Sequence, residues 1–211
     1  MTHSIDSDFA HVYSPGDPGK PTLLLLHGTG GDENDLVPLG RHLLPGATIL
    51  SPRGQVLENG MPRFFRRFAE GVLDVEDLRM RAEGLANWVR AQVTARGAPN
   101  RVVAVGFSNG ANIATGVMFA HADALAGAVL FRPMVPYEPD APPKLPGVPV
   151  LICAGRSDPM VDAKQIERLA AVLRSGGADV TLAWQNGGHG LVQADIDTAA
   201  SFIASRFGEA H

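Results

Sequence analysis

A serine stands between two glycines in Gly106-Phe107-Ser108-Asn109-Gly110. The five residues before the second half of this motif, 102–106, are branched, apolar and uncharged, and residues 111–120 are mostly small. That pattern predicts a buried strand, a sharp turn and a helix. A serine at the tip of such a turn has strained backbone angles. Glycine two positions to either side removes the Cβ atoms that would crowd strand against helix. The hydroxyl is then held in the open. The N–H of Asn109 sits at a helix N-terminus, where it can meet developing negative charge.

A serine hydroxyl is a weak nucleophile near neutral pH. It needs a base to take its proton, and the base needs an acid to hold its tautomer. On an open α/β sheet these groups follow along the chain as serine, acid, histidine. Of the histidines after Ser108, His211 is terminal and expected to fray. His121 ends the helix that Ser108 begins and points away from the turn, as a partner for the helix C-terminus. His189 lies in a glycine-flanked loop after a strand and is the candidate base. Among the acids, Asp162 reads as a helix cap, Asp140 falls in a proline-rich stretch, and Asp179 precedes its strand. Asp158 directly follows a strand and is held extended by Pro159, so it is the candidate acid. The second oxyanion donor is expected from the loop after the first buried strand, His27-Gly28-Thr29-Gly30: Thr29, with Gly28 as the alternative. His27 precedes the serine and is expected to brace that loop through a backbone hydrogen bond.

The elements that must position these groups alternate along the chain. Apolar strands are expected at 22–26, 47–50, 102–106, 124–131, 148–154 and 179–184, with a short edge strand at 9–13. Helices are expected at 34–44, 74–96, 111–120, 162–174 and 191–207. The helix at 74–96 is the clearest, with Val75, Leu78, Ala82, Leu85, Val89 and Val93 at three- and four-residue spacing, Asp74 as cap, and Gly97 and Pro99 as stop. Residues 53–71 read as a long loop and 133–149 as an irregular, proline-rich excursion. Alternating strands and helices with glycine-rich loops after the strands mean one α/β domain spanning 1–211, with a mostly parallel sheet, helices on both faces and its site at the carboxyl ends of the strands.

The 211 residues are 45% apolar and 19% charged, which fits a compact core. The net charge of −4 argues against a nucleic-acid partner. No segment approaches the roughly 18 to 20 apolar residues of a membrane span. Residues 1–8 have neither a basic region nor an apolar run, so no secretory signal and a cytoplasmic location are expected. The single cysteine, Cys153, lies mid-strand without a charged neighbour and reads as a buried structural thiol. No His/Cys cluster has metal-ligand spacing, and no phosphate-binding glycine motif appears in context, so neither metal nor cofactor is expected.

Four segments taken together resemble the α/β-hydrolase superfamily: residues 26–33 around His27-Gly28-Thr29-Gly30-Gly31, the Ser108 motif, residues 155–159 ending in Asp158-Pro159, and Gly188-His189-Gly190. They are most similar to its small phospholipase/carboxylesterase branch, which includes acyl-protein thioesterases. Residues 51–54, 63–68 and 131–136 resemble the bacterial hydrolases associated with hydroquinone resistance. The resemblance covers nearly the whole chain. It implies an α/β-hydrolase fold without a large cap domain, a Ser108–His189–Asp158 triad, and an oxyanion hole from the N–H groups of Thr29 and Asn109. Asn109 stands where the thioesterases carry glutamine, and Thr29 where they carry leucine, which argues against a lipidated-protein substrate.

The expected activity is that of a carboxylesterase on small or medium acyl esters, through an acyl-enzyme at Ser108. Thioesterase, lysophospholipase-like and C–C bond hydrolase chemistry share the triad, and a non-catalytic ligand-binding protein would keep only the scaffold. The expected partner is a small-molecule ester, and a homodimer is compatible with the apolar surface such small domains often share. Phe64, Phe65 and Met134 are the candidate pocket walls, unless the two phenylalanines pin the long loop to the core. Arg63, Arg66 and Arg67 read as a solvated basic loop rather than an anion site.

Overall fold

The computed structural model describes residues 8–208. The terminal His211 and most of the segment read for a secretory signal lie outside the described residues. In chain order the elements are β1 (His11–Ser14), β2 (Thr22–Leu26), α1 (Val37–Leu43), β3 (Thr48–Pro52), β4 (Val56–Glu58), β5 (Met61–Arg63), β6 (Arg67–Ala69), β7 (Val72–Leu73) and α2 (Val75–Arg96). They continue with β8 (Val102–Phe107), α3 (Asn109–Ala120), β9 (Gly127–Phe131), β10 (Pro149–Gly155), α4 (Ala163–Ser175), β11 (Asp179–Gln185) and α5 (Gln193–Phe207).

Seven strands form one sheet in the order β1-β3-β2-β8-β9-β10-β11. Only the edge strand β1 runs antiparallel, against β3; the other neighbours are parallel. This is the α/β-hydrolase fold, and no cap domain is inserted among the described residues. The continuous apolar runs of the sequence are explained by burial on both faces. Alternate side chains go to opposite cores: Leu24, Ala104, Leu130 and Ile152 pack with α2, α3 and α4, while Leu23, Leu25, Val103, Val129 and Leu151 pack with α1 and α5. Asp74 caps α2 by accepting the Asp77 N–H at 3.1 Å, and Gly97 ends it in a left-handed conformation with φ +57°.

Residues 53–71 are not an irregular loop. Together with Val72 and Leu73 they form two small antiparallel ribbons, β4–β5 and β6–β7. Strands of two or three residues are too short to show a hydrophobic period, which is why the sequence pattern reads them as a loop. The proline-rich stretch 133–148 is irregular, as its prolines dictate. It is anchored by the fully buried Leu145, whose N–H donates to the Gly176 carbonyl at 2.8 Å.

Candidate active site

The end of β8 and the start of α3 meet at Ser108, which adopts φ +51° and ψ −110°. A non-glycine residue there is strained and is held by its surroundings. The Ser108 N–H donates to the Phe131 carbonyl at 2.9 Å, which ties the turn to β9. The two flanking glycines are sterically required. A Cβ on Gly106 would come within 2.6 Å of the Gly110 carbonyl oxygen, and one on Gly110 would overlap the Leu26 carbonyl.

The loop after β11 brings His189 over this turn, and the loop after β10 brings Asp158 behind it. The Ser108 hydroxyl donates to His189 Nε2 at 2.9 Å. His189 Nδ1–H donates to Asp158 Oδ2 at 2.8 Å. This pairing fixes the tautomer: the proton is on Nδ1, and Nε2 is the acceptor that faces the serine. Asp158 is 2% exposed and His189 is 20% exposed, so the acid is shielded while the ring still meets the cavity. The other Asp158 oxygen accepts the Met160 N–H at 2.8 Å, which fixes the carboxylate plane. The three residues chosen from motif and spacing therefore lie in one hydrogen-bonded chain. The remaining candidates lie elsewhere: Cys153 is fully buried in β10, with burial pushing its thiol up to about 12.

A cavity of about 280 Å³ opens beside Ser108, and its walls include Thr29, Arg63, Asn109, Asn112, Met134 and His189. Thr29 reaches it, whereas Gly28 packs against the Phe107 ring. Asn109 is the first residue of α3, so its N–H belongs to the positive end of that helix. Met134 is a wall residue. Phe64 and Phe65 are not. They are 3% and 0% exposed and belong to the core beneath the ribbons, Phe64 stacking 4.7 Å from the His27 ring. Two large aromatic side chains lower the free energy more by full burial than by lining a wet cavity, so they anchor the segment that carries them.

That segment is bonded to both loops around the serine. The Pro62 carbonyl accepts the Gly30 N–H at 3.0 Å. Arg63 Nη1 donates to the Thr29 hydroxyl at 2.6 Å. The Phe64 N–H donates to Asn109 Oδ1 at 2.8 Å. His27 braces the same region: Nδ1–H donates to the Gly28 carbonyl at 2.6 Å, and Nε2 accepts the Gly54 N–H at 2.9 Å. Burial holds the His27 pKa below its ordinary value, against weaker opposing effects from the Gly28 carbonyl and nearby acids.

Of the three arginines Arg66 is solvated, as read, whereas Arg63 and Arg67 are not, and all three are paired with carboxylates. Arg63 is buried and pairs with Glu58 at 3.2 Å, and burial lowers its pKa. Arg66 pairs with Asp74 at 3.1 Å, and Arg67 with Glu58 at 3.0 Å and with Glu70. The arginine–carboxylate matching leaves little excess positive charge at the cavity.

Comparison with known proteins places the chain. Residues 7–206 match the model of the phospholipase/carboxylesterase family. The chain belongs to that family. A Bacillus subtilis (strain 168) protein named "Putative hydrolase MhqD" is 47% identical over 190 residues, covering 90% of this chain and 94% of MhqD. The Bacillus cereus carboxylesterase superposes with a TM-score of 0.93 at 44% identity, over 96% of each chain. A carboxylesterase from Mesorhizobium loti superposes with a TM-score of 0.84 at 27% identity, over 90% of each chain. Family membership makes this a hydrolase scaffold, and the site geometry bears on what it does there.

Motif reading missed two buried charges in this family member. Arg132 follows β9, and Asp195 lies in the first turn of α5. They pair at 2.7 Å with both side chains fully buried. The available signal was a charged residue immediately after an uninterrupted apolar strand, at the edge of the sheet where the other site residues lie. Among the described residues, no group of three or more His, Cys, Asp or Glu side chains could hold a metal ion. No helix among them is long and apolar enough to cross a membrane.

Proposed function

We propose that the protein is a carboxylesterase that cleaves small and medium acyl esters through an acyl-enzyme at Ser108. The observation that carries this reading is the chain from Asp158 through His189 to the Ser108 hydroxyl, at 2.8 and 2.9 Å. Both distances suit stepwise proton transfer.

In the first half-reaction Ser108 Oγ attacks the ester carbonyl while neutral His189 takes the hydroxyl proton at Nε2. Asp158 stabilises the imidazolium that forms. The N–H groups of Thr29 and Asn109 receive the oxyanion. His189 then gives its proton to the leaving alcohol, and the acyl group stays on Ser108. In the second half-reaction His189 takes a proton from water, the hydroxide adds to the acyl carbonyl, and the C–O bond to Ser108 breaks as His189 returns the proton.

The cavity volume of about 280 Å³ is at or just below the low end of the roughly 300–1,000 Å³ of small-molecule sites, which supports a small acyl group. The matched charges of Arg63, Arg67, Glu58 and Glu70 support an uncharged one.

The test is labelling with a fluorophosphonate ester, with the adduct located by mass spectrometry, on the wild-type protein and on Ser108→Ala. An adduct on Ser108 that disappears in the variant is the expected result. Folded wild-type protein that takes up no label would overturn the proposal. A panel of acyl esters and thioesters of increasing chain length then separates ester from thioester preference.

A further inference from the structure

We infer that Arg132 is a positioning residue for His189, acting with Asp195 as a buried clamp on the loop that carries the imidazole. The inference rests on the reading of His189 as the base.

The His189 loop is glycine-rich, Gly187-Gly188-His189-Gly190. Glycines supply no side chains to pack, and their backbone is the most permissive of any residue, so the loop cannot hold the ring by itself. Arg132 supplies what is missing. It adopts φ +53°, a left-handed conformation that a long side chain takes only when its surroundings impose it. Its guanidinium is fully buried beneath the loop.

All five guanidinium N–H groups have acceptors. Nε donates to the Gly188 carbonyl at 2.8 Å. Nη1 donates to the Cys153 carbonyl at 3.1 Å and to Asp195 Oδ1 at 2.8 Å. Nη2 donates to the Gly190 carbonyl at 3.0 Å and to Asp195 Oδ2 at 2.7 Å. The two loop carbonyls are those on either side of His189. The loop is thereby gripped before and after the imidazole and tied to the end of β10. Asp195 Oδ2 also accepts the Val192 N–H at 2.9 Å, which fixes the chain as it leaves the loop.

With five donors engaged inside the protein, Arg132 has none for a substrate. Its effect on the reaction runs through the placement of His189. The rigid fork is essential: a lysine ammonium donates from a single point and cannot span Gly188, Gly190 and Cys153 together. Stability alone does not require the pair, because a buried ion pair can often be replaced by apolar residues of similar volume without loss.

The experiment compares the wild-type protein with Arg132→Lys and with the double variant Arg132→Met/Asp195→Leu. The readouts are thermal unfolding, kcat and KM on a short-chain p-nitrophenyl ester, and the low-field proton resonance of His189 Nδ1–H. Lysine keeps a cation beside Asp195, and the double variant removes both charges, so neither leaves a buried carboxylate alone. The expected result is a folded protein with KM unchanged, kcat lower by about 100-fold as for a misplaced catalytic group, and the low-field resonance lost. A folded variant that keeps both kcat and the resonance overturns the clamp. If Ser108→Ala retains ester hydrolysis, it is the nucleophile assignment that fails, and the resonance still decides the clamp.

Discussion

Arg63 Nη1 donates to the Thr29 hydroxyl at 2.6 Å, so a side chain from the ribbon β4–β5 fixes the loop that follows β2. The bond is charge-assisted and largely out of water, where such contacts are strongest. Thr29→Val removes the hydroxyl, keeps the shape and leaves the backbone N–H in place. If the Arg63 contact holds that N–H on the oxyanion, kcat falls about tenfold, as expected for about 1.4 kcal/mol of lost transition-state stabilisation. KM stays near the wild-type value. Unchanged kcat in steady-state ester hydrolysis would show that Thr29 is positioned without this bond.

Asp158→Asn keeps the side-chain shape and the oxygen that accepts the Met160 N–H. It removes the acceptor of His189 Nδ1–H and favours the wrong tautomer. The expected loss in kcat is about 10⁴-fold. Activity within tenfold of the wild-type protein would mean that Asp158 does not set the state of His189.

The buried His27 makes the fold sensitive to acid. Burial holds its folded-state pKa below the ordinary 6.5. As pH falls through 6.5, the unfolded chain takes up this proton while the folded chain does not. The unfolded state then binds more protons, so the stability contributed by neutral His27 is present above 6.5 and is lost as pH falls toward the lowered pKa. Protonated Nε2 would also point at the Gly54 N–H that it now accepts. His27→Gln should unfold with a shallower dependence on pH between about 7 and about 5, measured by thermal melts. Equal slopes would place the acid sensitivity elsewhere.

Phe65→Ala tests the anchoring role of the ribbons. The side chain is fully buried, and truncation should destabilise by about 3–5 kcal/mol. Among the molecules that stay folded, the order of preference for acyl chain lengths should not change. A changed preference with unaltered stability would return Phe65 to the pocket wall.

The sheet was legible because its innermost strands carry continuous apolar runs such as Leu23 to Leu26, as burial on both faces requires. The positions of Ser108, Asp158 and His189 were legible because strand ends, glycines and chain order constrain them, and the structure brings the three within hydrogen-bond distance. The roles of Phe64 and Phe65 were not legible. An aromatic pair reads alike in a pocket wall and in a core, and only the three-dimensional path of the ribbons separates the two. Arg132 and Asp195 were missed because no motif marks either residue as one of a pair, and 63 residues part them along the chain. A buried pair that distant leaves no spacing to read.

The two ribbons divide their side chains between an inner row and an outer one. Phe64, Phe65 and Arg63 lie inside, while Leu57, Met61, Phe68 and Val72 are exposed. The inner row is locked to the sheet and to the loops around Ser108. The outer row has little structural duty, yet it belongs to a segment whose residues Arg63, Arg67, Glu70, Gly71 and Leu73 line the cavity. Variation can therefore accumulate on the outer row at small cost to folding, and because that row is not among the residues that line the cavity, the segment can change its outer surface while the site and the Ser108 turn stay as they are.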